Sequence, residues 1–270
     1  MQSSPFEFTG RHVFVAGGSS GINFGIAQAF ARAGARLSLI SRSPERVEGA
    51  ALRLQELGTD AIGIAADVRQ PEAVERALAQ AATKFGPIDV LVSGAAGNFL
   101  AKALDMSPNA FKTVVDIDLL GSFNVLRLSH AHLRKPGACI IQISASQAFV
   151  ATPYQVHVSA AKAGIDMLTR GLALEWGADG IRINSIIPGP IQDTEGLKRL
   201  APTAETLQAM AERVPLKRLG RLEDVARLAL MLASDWGSYI TGTVIAVDGG
   251  LALTGPRDFS AAAAASRRER

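Results

Sequence analysis

Seven short apolar runs recur along the chain, each closing on small or turn-forming residues. They read HVFVAGG, RLSLISR, IGIAADV, IDVLVSGAAG, ACIIQISAS, IRINSIIPGP and TVIAVDGG. Short runs that are mostly apolar, rather than alternating with polar residues, suit strands covered on both faces. Between them lie stretches with helical spacing. GIAQAFARAGA is one, ending near a glycine; others fall around 46–57, 72–85, 109–134, 156–175 and 222–234. Strands alternating with helices predict an α/β fold with a doubly wound, parallel, seven-stranded sheet in a single domain. Such a sheet takes its ligand at the carboxyl ends of the strands.

Composition sharpens this picture. The chain has 270 residues, 48% hydrophobic and 20% charged, which suits one large domain, expected over 1–255. The Ala-rich end, closing in AAAAASRRER, predicts a flexible C-terminal tail over 256–270. Net charge is +3, and the three Arg and one Glu of the last ten residues carry +2 of it. The body is thus near neutral, and no nucleic-acid surface is expected. No apolar run is long enough to span a bilayer. The start, MQSSPFEFTG, lacks the basic-then-apolar pattern of a signal peptide.

The single cysteine, Cys139, excludes an internal disulfide, and its apolar setting in GACIIQIS reads as a buried small hydrophobe. A reducing, cytoplasmic setting is expected from it. His12, His130 and His132 form no metal-ligand constellation, and no metal is expected.

The glycines of AGGSSGINFG follow the first strand and open the first helix, the context of a Rossmann-like dinucleotide site. Gly17 allows a tight turn. Ser19, Ser20, Gly21 and Ile22 present backbone N–H groups at a helix start that favours a pyrophosphate. Asn23 stands where a third glycine usually stands; its tolerance of left-handed dihedrals would preserve the turn, with Gly25 supplying the close helix–strand contact. The second strand ends in Ser41 and Arg42 with no acid to bind a ribose 2′-hydroxyl. A guanidinium suits a 2′-phosphate, so NADPH is expected over NADH. Asp67 and Val68 close the third strand, with Asp67 placed to accept from the adenine amine, and Ala95 is small where a cofactor approaches the backbone.

GGSSGI, AAGNF, SAAKAG, PGPI and VDGG occur in an order and spacing that resembles the short-chain dehydrogenase/reductase superfamily over roughly residues 8–250. AAGNF, DIDLLGSFNV, QVHVSAAKAGID and PGPIQDTEGLKRL resemble the 2,4-dienoyl-CoA reductases, above all their peroxisomal branch. The resemblance implies NADPH-dependent reduction of a 2,4-dienoyl thioester of coenzyme A to a 3-enoyl thioester in unsaturated fatty-acid degradation, by a homotetramer. It adds Pro188, Gly189 and Ile191 of PGPI to the cofactor residues. Because RRER is not a Ser-Lys-Leu type address, a bacterial member is expected.

One feature departs from the wider superfamily. A tyrosine usually lies four residues before the lysine, but Val158 stands there before Lys162, and Ala145 takes the usual serine position. A carbonyl reductase is therefore disfavoured. Hydride addition to a conjugated dienoyl thioester instead gathers charge on the thioester oxygen and needs donors there. Its proton goes later to carbon, from a positioned water.

The resemblance assigns Asp118 to order that water and Lys162 to hold the ribose and pair with Asp118. It places Asn98 and Phe99 beside the thioester and Arg69 and Arg199 near coenzyme A phosphates. Tyr154, eight before Lys162, reads as a pocket wall, and His157 as a hydrogen-bonded structural residue. The polar segment 192–213 reads as a lid. Two alternatives stay open: another enoyl-thioester reductase using Tyr154, and a non-catalytic NADP-binding regulatory protein.

Overall fold

The structure is a computed structural model that describes residues 6–254; the expected tail at 256–270 lies outside the described residues. The apolar runs form β1 (His12–Ala16), β2 (Arg36–Ser41), β3 (Ala61–Ala65), β4 (Val90–Ser93), β5 (Cys139–Ile143), β6 (Arg182–Pro188) and β7 (Val244–Val247). They make one parallel sheet of order β3-β2-β1-β4-β5-β6-β7.

Helices cover both faces, which is why the strands are apolar on alternate and intervening positions alike. Val13 and Val15 of β1 pack with α1 (Gly21–Arg32), α2 (Pro44–Gln55) and α9 (Leu222–Ala233). Phe14 and Ala16 face the opposite way, toward α3 (Pro71–Phe85), α5 (Gly121–Ser129) and α6 (Val156–Trp176). Phe14 and Phe30 are fully buried, each contributing about 1.5–3 kcal/mol. Cys139 is buried, its thiol pushed up to about 11 by that burial, so it serves as core rather than nucleophile.

The helix expected over 109–134 is three pieces. α4 (Pro108–Val115) runs into a π-helical turn, Asp116–Leu120, before α5 begins. α5 stops at Ser129 because the next residues pair with the chain entering β4: Ile88 N–H donates to His132 O and Arg134 N–H to Ile88 O, both at 2.9 Å. The segment after PGPI contains α7 (Glu195–Leu200) and α8 (Ala204–Arg213), each opened by a threonine cap, Thr194 and Thr203. No helix among the described residues is long and apolar enough to cross a membrane.

Candidate active site at the strand carboxyl ends

The chain order reverses between β1 and β4, and a cleft of about 700 Å³ opens there along the strand carboxyl ends. Of the site residues named from the sequence, Gly17, Ser19, Ser20, Gly21, Ile22, Ser41, Arg42, Asp67, Val68, Ala95, Asn98, Lys162, Pro188, Gly189, Ile191 and Arg199 line it. Asp118, Arg69 and Phe99 do not.

The turn after β1 is set by Gly17 at φ +75°, where a Cβ would lie 2.9 Å from the Ala95 backbone. The Ser20 hydroxyl does not cap α1, leaving the first N–H groups of the helix open to an anion. Arg53 of α2 reaches Ser19 O at 3.4 Å and lies 4.2 Å over the Phe24 ring, fastening the loop from outside.

Two sequence expectations about this turn are corrected. Asn23 is not left-handed; it lies inside α1, since Gly17 and Gly21 supply the positive φ values. Gly25 meets α9 rather than a strand, because a Cβ there would be 2.8 Å from the Leu222 side chain.

Arg42 is exposed at the end of β2. Arg46, one turn into α2, also lines the cleft, and neither guanidinium makes an ion pair among the described residues. Arg46 was missed because it reads as a solvated helix residue; its spacing of four from Arg42 was the available signal.

Arg69 is turned onto Asp67, with Nη2 and Nε at 2.6 and 3.1 Å from the carboxylate. That bond holds the Asp67 carboxyl below the usual range, with Arg42 adding to the effect. The guanidinium assigned to a coenzyme A phosphate is thus occupied by its own neighbour. Two residues apart, past the end of β3, the pair reaches across a short turn. Val68 main chain is fixed from behind, its oxygen accepting from Asn124 Nδ2 at 3.0 Å.

The wide turn Asp116–Leu120 carries Asp118 behind the cleft. A π turn often marks a functional position, because its surplus residue reorients side chains. Asp118 is fully buried. Its Oδ1 accepts from Gly97 N–H at 2.7 Å, and its Oδ2 lies 3.3 Å from Lys162 Nζ. Lys162 also donates to Ile143 O at 3.0 Å, which fixes the ammonium at the cleft wall. One turn further along α6, buried Asp166 accepts from Ser185 Oγ at 3.1 Å. Burial raises its carboxyl, partly offset by the Ser144 and Ser185 hydroxyls. Sequence reading missed it; its place four residues after Lys162, on one helix face, was the signal.

Three aromatic expectations change. The Phe99 ring lies 4.3 Å from the His157 ring and outside the cleft lining, because Gln155 Nε2 holds the Phe99 carbonyl at 2.9 Å. His157 is buried, but neither ring nitrogen reaches hydrogen-bonding geometry, so it is not the hydrogen-bonded residue expected. Burial lowers its pKa; the Phe99 backbone and Asp118 oppose that only in part. Tyr154 is half exposed at φ +65° and does not line the cleft, so it is not the pocket wall expected. The alternative reductase that depended on Tyr154 loses its support. Ala145 lines the cleft without a hydroxyl, and Val158 is buried in α6. Arg199 lines the rim, its Nη1 3.4 Å from Asn98 O, while the buried Asn98 Oδ1 has no partner. α7 and α8 roof the same cleft through Leu197, Met210 and Arg213.

A family model described as enoyl-(acyl carrier protein) reductase matches residues 16–252. A peroxisomal 2,4-dienoyl-CoA reductase of Arabidopsis thaliana, (3E)-enoyl-CoA-producing, is 43% identical over 94% of this chain and 89% of its own. The enzyme of that name from Pongo abelii is 46% identical over 91% of this chain and 85% of its own. Among solved structures, the Pseudomonas aeruginosa RhlG/NADP active-site complex aligns with a TM-score of 0.86 at 29% identity, covering 92% of this chain and 98% of that one. The cytoplasmic expectation is overturned, because these relatives are named as peroxisomal enzymes. A lone buried cysteine records a chain without disulfides and does not distinguish one reducing compartment from another.

Proposed function

Because the chain belongs to the short-chain dehydrogenase/reductase superfamily, we propose that it uses NADPH to reduce 2,4-dienoyl-CoA to 3-enoyl-CoA. The observation that carries this reading is the buried Asp118–Lys162 pair beside a cleft where Ala145 and Val158 replace the groups of a carbonyl reductase. Curated relatives at 43–46% identity are 2,4-dienoyl-CoA reductases that produce 3-enoyl-CoA.

The cleft fits a dinucleotide phosphate. Gly17 leaves no room for a side chain against Ala95, α1 opens uncapped, and Arg42 and Arg46 offer two unpaired cations to a 2′-phosphate. Ser41, Asp67, Val68, Ala95, Pro188, Gly189 and Ile191 would line its length. When bound, the nicotinamide supplies hydride. Lys162 would hold a cofactor ribose while it pairs with Asp118. Gly97 N–H and Lys162 each take one oxygen of Asp118, so the carboxylate plane is fixed. Buried behind the cleft, a carboxylate so held acts through the Lys162 ammonium it fixes, which would order the water that protonates carbon, the proton transfer being to carbon and not to a carbonyl oxygen. Asn98, whose amide lines the cleft, would donate its NH₂ to the thioester oxygen as charge gathers there. Arg199 at the rim supplies a cation to coenzyme A phosphate, a role that Arg69 fills only by leaving Asp67.

The homotetramer implied by the resemblance is supported by exposed apolar side chains on neighbouring helices: Phe123 on α5, and Met167 and Leu174, two turns apart on α6. The test of the function is NADPH oxidation with 2,4-dienoyl, 2-enoyl and 3-ketoacyl thioesters. Turnover is expected with the first alone, and none with any thioester would leave the regulatory alternative.

A further inference from the structure

The usual glycine motif has glycine at the position Asn23 occupies, so this amide is a feature of the present chain. It is buried, yet it sits in the first turn of α1 at the edge of the cleft. Its Nδ2 donates to Gly94 O at 2.8 Å and to Gly17 O at 3.3 Å, with Ala16 O at 3.5 Å. Three carbonyl oxygens surround that end of the amide, and carbonyls only accept, so the NH₂ must face them.

These carbonyls belong to different walls of the cleft. Gly17 is the turn leaving β1, and Gly94 follows β4. The last backbone bond between the two strands is Gly94 N–H to Ala16 O, at 3.2 Å. Beyond it no further backbone bond joins the two; Gly17 packs against Ala95, and Asn23 adds the side-chain bonds that tie the Gly17 turn to Gly94. The contact is also exclusive. A Cβ on Gly94 would fall 2.2 Å from Asn23 Oδ1 and 2.6 Å from Nδ2, closer than atoms of that size approach. Gly94 is open backbone only because the amide fills the space where its side chain would go.

We propose that Asn23 is a positioning residue for the cofactor, a strut that fixes the Gly17 turn against the end of β4, and that Gly94 is glycine to admit it. This rests on the reading of the cleft as an NADPH site. With the strut in place the cleft is preset, and the ligand is spared the cost of ordering two loops on binding.

The test is a double-mutant cycle read by NADPH fluorescence titration, thermal unfolding and turnover at saturating NADPH. Asn23→Gly restores the usual residue and should fold. Its Kd for NADPH should rise about tenfold, the scale of one or two neutral hydrogen bonds, while kcat at saturation stays within about twofold. Gly94→Ala alone should bind NADPH at least as poorly, or fail to fold, because its methyl meets the amide. In the Asn23→Gly background the same Gly94→Ala change should cost little, returning the protein to the level of Asn23→Gly alone. Native NADPH affinity in Asn23→Gly, with only a lower unfolding temperature, would overturn the proposal. So would a Gly94→Ala penalty equal in both backgrounds, or no NADPH binding by the native chain. A native chain that binds NADPH but does not reduce dienoyl thioesters would count against the substrate reading alone, since the affinity cycle stands without turnover.

Discussion

Asp118 and Lys162 face one another across 3.3 Å, both almost wholly removed from solvent, one behind the cleft and the other on its wall. Neither is free to move: Gly97 N–H holds the carboxylate and Ile143 O holds the ammonium. An unpaired buried charge is costly, so each residue is needed by the other before either meets a ligand.

Asp118→Asn is therefore expected to keep the Gly97 hydrogen bond and NADPH affinity while turnover falls roughly 10²-fold or more, the scale of positioned proton transfer. Stopped-flow kinetics with NADPH and a dienoyl thioester check this, together with a solvent deuterium effect that should grow in the variant. Native turnover by Asp118→Asn would place the proton source elsewhere.

Lys162→Met should lose cofactor affinity and turnover together, and it should destabilise the fold by about 3–5 kcal/mol by leaving Asp118 buried without its cation. Adding Asp118→Asn should recover part of that stability in denaturant titrations. The kinetic losses should be less than additive. Full additivity would mean that the pair is two independent groups.

Arg42→Ala and Arg46→Ala should each weaken NADPH by roughly ten- to a hundredfold, the scale of a hydrogen bond to a charged group, and leave NADH nearly unchanged. The double variant should come close to equal affinity for the two cofactors. A native preference for NADPH in the double variant would move the phosphate contact elsewhere in the cleft.

Val158→Tyr should not create a brisk ketone reductase, since Ala145 supplies no hydroxyl beside it and position 158 is buried. Acetoacetyl-CoA reduction is the assay, and rapid turnover would contradict the placement of Val158.

His157 sets a pH dependence whose sign follows from its lowered pKa. The unfolded chain takes up a proton below about 6.5, while the buried ring resists it, so stability is lost as pH falls beneath that value. His12 is lowered for the same reason and adds to the slope. Thermal unfolding between pH 7 and 5 should show a shallower decline for His157→Gln, whose turnover at pH 7 should remain near native. An unchanged slope would show that the ring is solvated.

What could be read in advance was what local pattern encodes. The seven strands, the turn at Gly17 and the single cation Arg42 at the end of β2 each follow from a few adjacent residues. What escaped depends on residues far apart. Nothing near Asn23 announces that Gly94, 71 positions on, leaves it space. Nothing near Phe99 tells that Gln155 will hold its carbonyl and His157 its ring. The segment 109–134 has continuous helical spacing, and periodicity alone does not reveal a local change of pitch at Asp116–Leu120. Arg69 was given to a ligand because its engagement with Asp67 is a matter of rotamer, which composition does not record.

That change of pitch makes chain length itself part of the chemistry. Asp116–Leu120 holds one residue more than a regular helix needs. Deleting a single residue there would let the helix close into even turns, so the backbone could improve while the enzyme fell silent. Each residue removed swings those before it by roughly 100° relative to those after, and Asp118 would leave Lys162. Most helices suffer from an insertion or a deletion because their geometry worsens. In this one, the imperfection is what brings Asp118 to Lys162, and a repaired helix would part them.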